Sequence, residues 1–168
     1  MILKRRGILH LMLNPKLHSV TAAAIIRRKD GRILVLKRAD HEKVYPSHYA
    51  CPGGKIEGND TIVESVLREV KEECGLTVEK NMIIIKEKAI LRKDGQTSKA
   101  LSVLCKPKKT EPIVLEEKSF TEYKWVNLKE LRKLKHVGLE PEFKKVEKMF
   151  KRKIDLSPFY IDTDKVTL

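Results

Sequence analysis

The chain has 168 residues, 41% of them hydrophobic and 35% charged, with 36 Lys and Arg against 23 Asp and Glu for a net charge of +13. That length fits one domain of ordinary size, and that apolar fraction supports a packed core, which excludes a disordered tail. No apolar run approaches the ~18 residues of a membrane span, so no membrane partner is expected.

Met1–Lys16 has a basic start and a short apolar stretch, but no small-residue cleavage site follows, so it is not read as a signal peptide. Val20–Ile26 and Arg32–Lys37 are β-branched runs around Lys29-Asp30-Gly31, which predicts a hairpin with Gly31 at a positive φ. Thr61–Cys74 carries Ile62, Val66, Val70 and Cys74 at spacing four and predicts a helix, capped by Asn59 or Asp60 and ended by Gly75. Met82–Arg92 and Thr97–Cys105 flank Lys93-Asp94-Gly95-Gln96 as a second hairpin, and Glu122–Val126 is a further strand with Trp125 pointing inward. Asn127 and Glu130 form a capping-box pattern at the start of another helix. Pro141 suits the first turn of a last helix, with Phe143, Val146 and Phe150 on one face, and the chain from Ile154 onward reads as irregular. Strands and helices mixed in this way give an α/β or α+β domain with sheet layered between helices.

The segment with most chemistry is Gly53-Gly54-Lys55-Ile56-Glu57-Gly58-Asn59-Asp60 and the helix that follows. Glu69, Glu72 and Glu73 stand three and four residues apart, so their carboxylates crowd one side, opposite Ile62, Val66 and Val70. Like charges at such spacings cost about 0.2–0.5 kcal/mol per pair, and the helix C-terminus disfavours anions further. Arg68 offsets part of that by pairing with Glu64 or Glu72. Cys51–Lys80 holds four basic and seven acidic residues, so the rest of the chain carries +16. An acidic knot in a basic protein is a candidate site for divalent cations. Its ligands are hard carboxylate oxygens with no His or Cys at metal spacing, which favours Mg²⁺ or Mn²⁺ over Zn²⁺. The alternative is a solvated acidic face, the usual meaning of a generic E-x-x-E-E helix. Cys51, Cys74 and Cys105 are too few for a disulfide framework and lack metal-ligand spacing, so a reducing, cytoplasmic setting is expected.

On these residues the chain resembles the Nudix hydrolase family, whose signature is G-x5-E-x7-R-E-U-x-E-E-x-G-U with U aliphatic. Gly54, Arg68, Glu69, Val70, Glu72, Glu73, Gly75 and Leu76 occupy their places, and Asp60 replaces the first Glu. The resemblance extends from Ser19 to about Leu134. It implies an α/β/α sandwich with a mixed sheet, here a single domain over 1–168 with its core at about 19–134 and a basic helical extension at about 139–168. It also implies hydrolysis of a diphosphate linkage in a nucleoside diphosphate derivative, a nucleoside triphosphate before others. The resemblance makes Glu69, Glu72 and Glu73 the metal-binding and catalytic carboxylates, with the Gly53 carbonyl as an extra ligand and Arg68 orienting them. Lys55 and Arg38 are candidates for substrate phosphates or, equally, surface charges. A further acid is expected from Glu116, Glu117 or Glu122, and the general base is Glu69 or that acid. The segment from Lys37-Arg38 to Tyr45-Pro46 resembles isopentenyl diphosphate isomerases, but the intact glutamate set favours a hydrolase. Markers for ADP-ribose and dinucleoside polyphosphate hydrolases are missing downstream of the box.

The +16 outside the acidic segment leaves two readings. Asn127–Lys153 holds ten basic and four acidic residues, and Met1–Lys16 four basic and none acidic. One reading is RNA binding, either by an enzyme acting on capped or 5′-phosphorylated RNA or by a binding module without turnover. The other is a Lys-rich solvated surface, since few aromatics are interleaved for stacking. The five dispersed histidines read as surface or packing residues, and the cysteines as structural.

Overall fold

A computed structural model of the chain describes residues 18–91, 97–152 and 154–164. The segment Met1–Lys16 and the turn Lys93-Asp94-Gly95-Gln96 lie outside the described residues. Among the described residues, seven strands form two sheets. β1 (His18–Ile26), β4 (Gly53–Lys55), β5 (Ile83–Leu91) and β6 (Thr97–Cys105) make one in the order β4-β1-β6-β5. β2 (Ile33–Arg38), β3 (Tyr49–Ala50) and β7 (Phe120–Val126) make the other in the order β3-β2-β7. The first sheet is mixed, because β1 runs parallel to β6 and antiparallel to β4. The second is antiparallel throughout.

The central strands are buried on both faces, which explains their near-continuous apolar runs. Ala22, Ala24 and Ile26 of β1 and Leu34 and Leu36 of β2 pack toward α1 (Ile62–Cys74), against Val63, Val66, Val70 and Cys74. The alternate residues Ile25, Ile33 and Val35 face the other layer, against Leu131 of α2 (Leu128–Leu131) and Phe143 and Val146 of α3 (Glu140–Lys151). Helices therefore cover both faces of the sheets. Trp125 packs partly buried against the α1-side core, and all three cysteines are buried thiols.

Several expectations need correction. The turn between β1 and β2 forms, with Arg28 N–H donating to the Arg32 carbonyl at 2.8 Å and one bridge from Arg27 to Ile33. Beyond that bridge the strands part into different sheets instead of continuing as a hairpin. The reason is that β4 and β6 already occupy the two edges of β1. The cap of α1 is Thr61, not Asn59 or Asp60. Thr61 Oγ1 accepts from Glu64 N–H at 3.2 Å, and Glu64 Oε2 accepts from Thr61 N–H at 2.8 Å, a complete capping box. Glu64 is thereby engaged at the cap, and of the two expected partners of Arg68 it is Glu72 that pairs with it. On α3, Phe143, Val146 and Phe150 share one face as expected, the first two buried and Phe150 39% exposed. After α3 the chain makes a short 3₁₀ turn (Ser157–Phe159), and Ile161 N–H donates to the Met82 carbonyl at 2.8 Å, tying the C-terminal segment to the sandwich.

One charge sits inside the α3 layer. Glu142 is 1% exposed, and its Oε1 receives Lys88 Nζ at 2.9 Å, Lys86 Nζ at 3.5 Å and Ser102 Oγ at 3.3 Å, while Oε2 has no partner among the described residues. The lysines are partly exposed and can turn to water, whereas the carboxylate cannot. Removing the cations therefore costs more than removing the anion. Replacing Lys86 and Lys88 together by Met is expected to lower stability by about 3 kcal/mol or more, and adding Glu142→Leu is expected to recover most of the loss. Urea unfolding of the double and triple variants checks both signs, and equal midpoints would refute the account.

Candidate active site

The site begins with two missing side chains. Gly53 and Gly54 lie opposite Ala23 and Ala22 of β1. Gly53 has φ +146°, and a Cβ there would stand 2.1 Å from the Ala22 carbonyl oxygen. A Cβ on Gly54 would stand 2.5 Å from Glu69 Oε1. The bare strand thus lets α1 bring its carboxylates against the backbone. Gly53 N–H donates to Glu73 Oε2 at 2.8 Å.

Arg68 gathers the remaining acids. Its Nη1 donates to Glu69 Oε1 at 2.8 Å and to Glu72 Oε2 at 3.2 Å. Its Nε reaches Asp60 Oδ2 at 3.4 Å, and its Nη2 reaches the Lys55 carbonyl at 3.3 Å. One guanidinium therefore ties the glycine loop to two glutamates of the helix. Burial opposes the Arg68 charge, but Glu69, Asp60 and Glu72 outweigh it and raise its pKa. Asp60, the departure from the signature, still reaches Arg68 with its shorter side chain.

The glutamates are unequal. Burial pushes the Glu73 carboxyl up to about 8, and Glu69 and Glu116 push the same way, against the Gly53 N–H and Arg38. Burial also raises Glu69, with Arg68 opposing and Glu72 and Glu57 adding to the rise. Glu72 is the open one, with 57% of its side chain exposed. Glu57 went unremarked in the sequence although it lies inside the glycine loop, and a carboxylate three residues after Gly54 was the available signal.

Other expected residues divide into near and far. Arg38 acts electrostatically on Glu73, while its Nε donates to the Val44 carbonyl at 2.8 Å and its Nη2 to Glu42 Oε2 at 2.7 Å. Lys55 is exposed at the end of β4, and its carbonyl, not its ammonium, contacts Arg68. Of the downstream acids, Glu116 is the one felt by Glu73, and its N–H donates to the Glu73 carbonyl at 3.1 Å. Glu122 is occupied by the Tyr49 hydroxyl at 2.6 Å and Lys124 at 2.8 Å, and Glu117 is exposed.

Glu69, Glu72 and Glu73 each commit one oxygen to Arg68 or Gly53. Their second oxygens have no hydrogen-bond partner among the described residues. Among those residues no three His, Cys, Asp or Glu side chains form a ready-made metal cage. The free carboxylate oxygens suit a hard cation such as Mg²⁺, which takes one or two carboxylates and completes its shell with waters and phosphates. The donor set fits such an ion.

Comparisons with known proteins bear on the family and the fold. Residues 17–146 match the NUDIX domain family. The chain is 42% identical over 66 residues to a MutT-like protein of Streptomyces ambofaciens, covering 39% of this chain and 40% of that one. It is 39% identical over 75 residues to an ADP-ribose pyrophosphatase of Methanocaldococcus jannaschii, covering 45% and 42%. It is 40% identical over 48 residues to the nucleoside triphosphatase NudI of Escherichia coli, covering 29% and 34%. Each match spans less than half of the relative's own length. The crystal structure of a MutT protein from Methanosarcina mazei superposes with a TM-score of 0.64 over 82% of this chain and 98% of that one, at 21% identity, which shows a shared fold. With the glycine strand, the arginine and the glutamates in place on that fold, the chain belongs to the Nudix family.

Proposed function

We propose that the chain is a divalent-cation-dependent pyrophosphohydrolase that cleaves a nucleoside triphosphate to the monophosphate and pyrophosphate. The observation that carries this reading is the set of three glutamates held by Arg68 and the Gly53 N–H with one oxygen each left over. The nucleoside triphosphatase relative supports the substrate class. The ADP-ribose pyrophosphatase relative favours a second reading, hydrolysis of ADP-ribose.

In this reading the free oxygens of Glu69, Glu72 and Glu73, with the Gly53 carbonyl, would hold Mg²⁺ or Mn²⁺. When bound, the cation neutralises phosphoryl charge and lowers the pKa of water. The chain's residues supply the rest. Arg68 fixes the directions of Glu69 and Glu72 and ties both to the loop through Asp60 and Lys55. Arg38 and Lys55 are the candidates to meet substrate phosphates. Glu69 or Glu116 accepts the proton of the attacking water. Burial that raises the Glu69 pKa supports that role for it, and closeness to Glu73 supports Glu116.

A panel of nucleoside triphosphates, ADP-ribose and capped RNA, each with Mg²⁺ or Mn²⁺, tests the substrate. Release of pyrophosphate from a nucleoside triphosphate is expected. Products of ADP-ribose alone would favour the second reading. Glu73→Gln is expected to lower turnover at least ~100-fold, beyond the loss usual for a group that only supports a ligand, with an unchanged melting temperature. Near-wild-type turnover would remove Glu73 from the site. Arg68→Lys keeps the charge but not the planar fork. Its turnover is expected to fall ~10–100-fold, while stability changes by no more than ~1 kcal/mol. A large fall in melting temperature with unchanged turnover would make Arg68 a structural residue. Gly54→Ala is expected to displace the Glu69 carboxylate and raise the Mg²⁺ concentration needed for half-maximal rate, which a metal titration reads.

A further inference from the structure

A cavity of about 360 Å³ opens where the C-terminal segment meets the β1–β2 turn. Phe150, Leu156 and Tyr160 wall it on one side, and Arg27, Lys29 and Lys106 stand at its rim. The three wall residues lie beyond residue 146, where the match to the family ends. The cavity floor includes Ile83 and Leu104, which belong to the α3-side core. The glutamates project from α1, which packs on the opposite face of the sheets.

Arg27 is the informative residue. Its guanidinium lies 3.7 Å from the centre of the Phe150 ring, and Nη1 donates to the Arg28 carbonyl at 3.2 Å. Among the described residues it makes no ion pair. Burial lowers its pKa, and Asp30 offsets this only in part. Both acids of the surroundings are taken, Asp30 by Arg28 at 2.5 Å and Glu79 by Lys106 at 2.8 Å. Lys29, Lys108 and Lys109 also make no ion pair among the described residues, and they share an adjoining groove with Arg28 and Lys106. Cations outnumber acids six to two around these two concavities. Tyr160 is 40% exposed and offers an aromatic surface at the mouth.

A partly desolvated cation without a counter-ion, next to an apolar wall and an open aromatic ring, suits a flat ring joined to an anion. We propose that this cavity is a second ligand site that takes a nucleoside monophosphate unit. The base lies against Tyr160 and Leu156, and the phosphate meets Arg27 and Lys29. The unit is either a free nucleotide or one residue of single-stranded RNA.

The test uses the full chain in EDTA, which removes divalent cations from the glutamates. AMP, adenosine as a control without phosphate, and an octamer of adenylate with a 5′-hydroxyl are titrated against wild type, Arg27→Gln and Tyr160→Ser. Wild type is expected to bind at least one probe, more weakly as salt rises. Each variant is expected to lose at least ~5-fold in affinity, the lower end for one lost base stack, with Mg²⁺-dependent turnover unchanged. Tyr160 is partly exposed, so its variant keeps the test decisive should Arg27→Gln fail to fold. Comparable affinity for both probes identifies a free nucleotide. Much tighter binding of the octamer with a steeper salt dependence identifies RNA, since each neutralised phosphate adds about −0.7 to the slope. Binding unaltered in Tyr160→Ser, no binding of either probe, or equal affinity for adenosine and AMP would overturn the proposal.

Discussion

The distance between the backbone of β4 and the α1 carboxylates governs the rest of the site. At Gly53 the neighbour is the Ala22 carbonyl oxygen, and at Gly54 it is the Glu69 carboxylate. Neither position has room for a methyl group. With no side chains between them, a peptide N–H can hold Glu73 and the loop can pass close enough for Arg68 to reach the Lys55 carbonyl. Burial follows from the same closeness, and burial is the first cause of the raised Glu73 and Glu69 pKa values. Local repulsion among the glutamates is thus a product of tight packing. Strong core contacts of Val66 and Val70, both fully buried, hold the helix in place against it.

Order is maintained by small devices at the two ends of α1. The Thr61–Glu64 box fixes where the helix starts, and Gly75 turns the chain out at the other end, with its N–H on the Lys71 carbonyl at 3.0 Å. Fixing both ends sets the rotation of the helix, and rotation decides whether Glu69 and Glu73 point at β4 or at water. Glu64 is used up in that task. Arg68 is left to Glu69, Glu72 and Asp60, so capping and bracing do not compete for one carboxylate.

Most of this was legible in the sequence because it is local. The spacing of Glu69, Glu72 and Glu73, the apolar stripe of α1, the Asn127–Glu130 box and the strand runs all express short-range periodicity. What escaped depends on distant partners. The β1–β2 turn has every mark of a hairpin, and only the competing edges offered by β4 and β6 send its arms into separate sheets. Thr61 was hidden behind two better-ranked capping types, Asn59 and Asp60, although Glu64 three residues on completed its pattern. Glu142 looks like an ordinary first-turn acid on α3. Its burial against Lys86 and Lys88 is set by β5, more than fifty residues earlier in the chain. Glu116 stood among three equal candidates because nothing within its own segment tells which acid folds back on Glu73.

The parallel pairing of β1 with β6 has a consequence for how the molecule assembles. Ser19 and Ser98, neighbours in that ladder, are 79 residues apart in the chain. Closing such a long loop costs entropy before any contact repays it, and non-local pairing of this kind slows folding. The glycine strand and α1, by contrast, are adjacent in sequence. During synthesis they emerge from the ribosome together, well before β6 exists. β1 is the strand on which Gly53 and Gly54 rest, and it gains its second neighbour only after Cys105 has been added. The most local part of the protein, its glutamate helix, therefore waits for a pairing 79 residues apart in the chain before its carboxylates have a fixed floor to face.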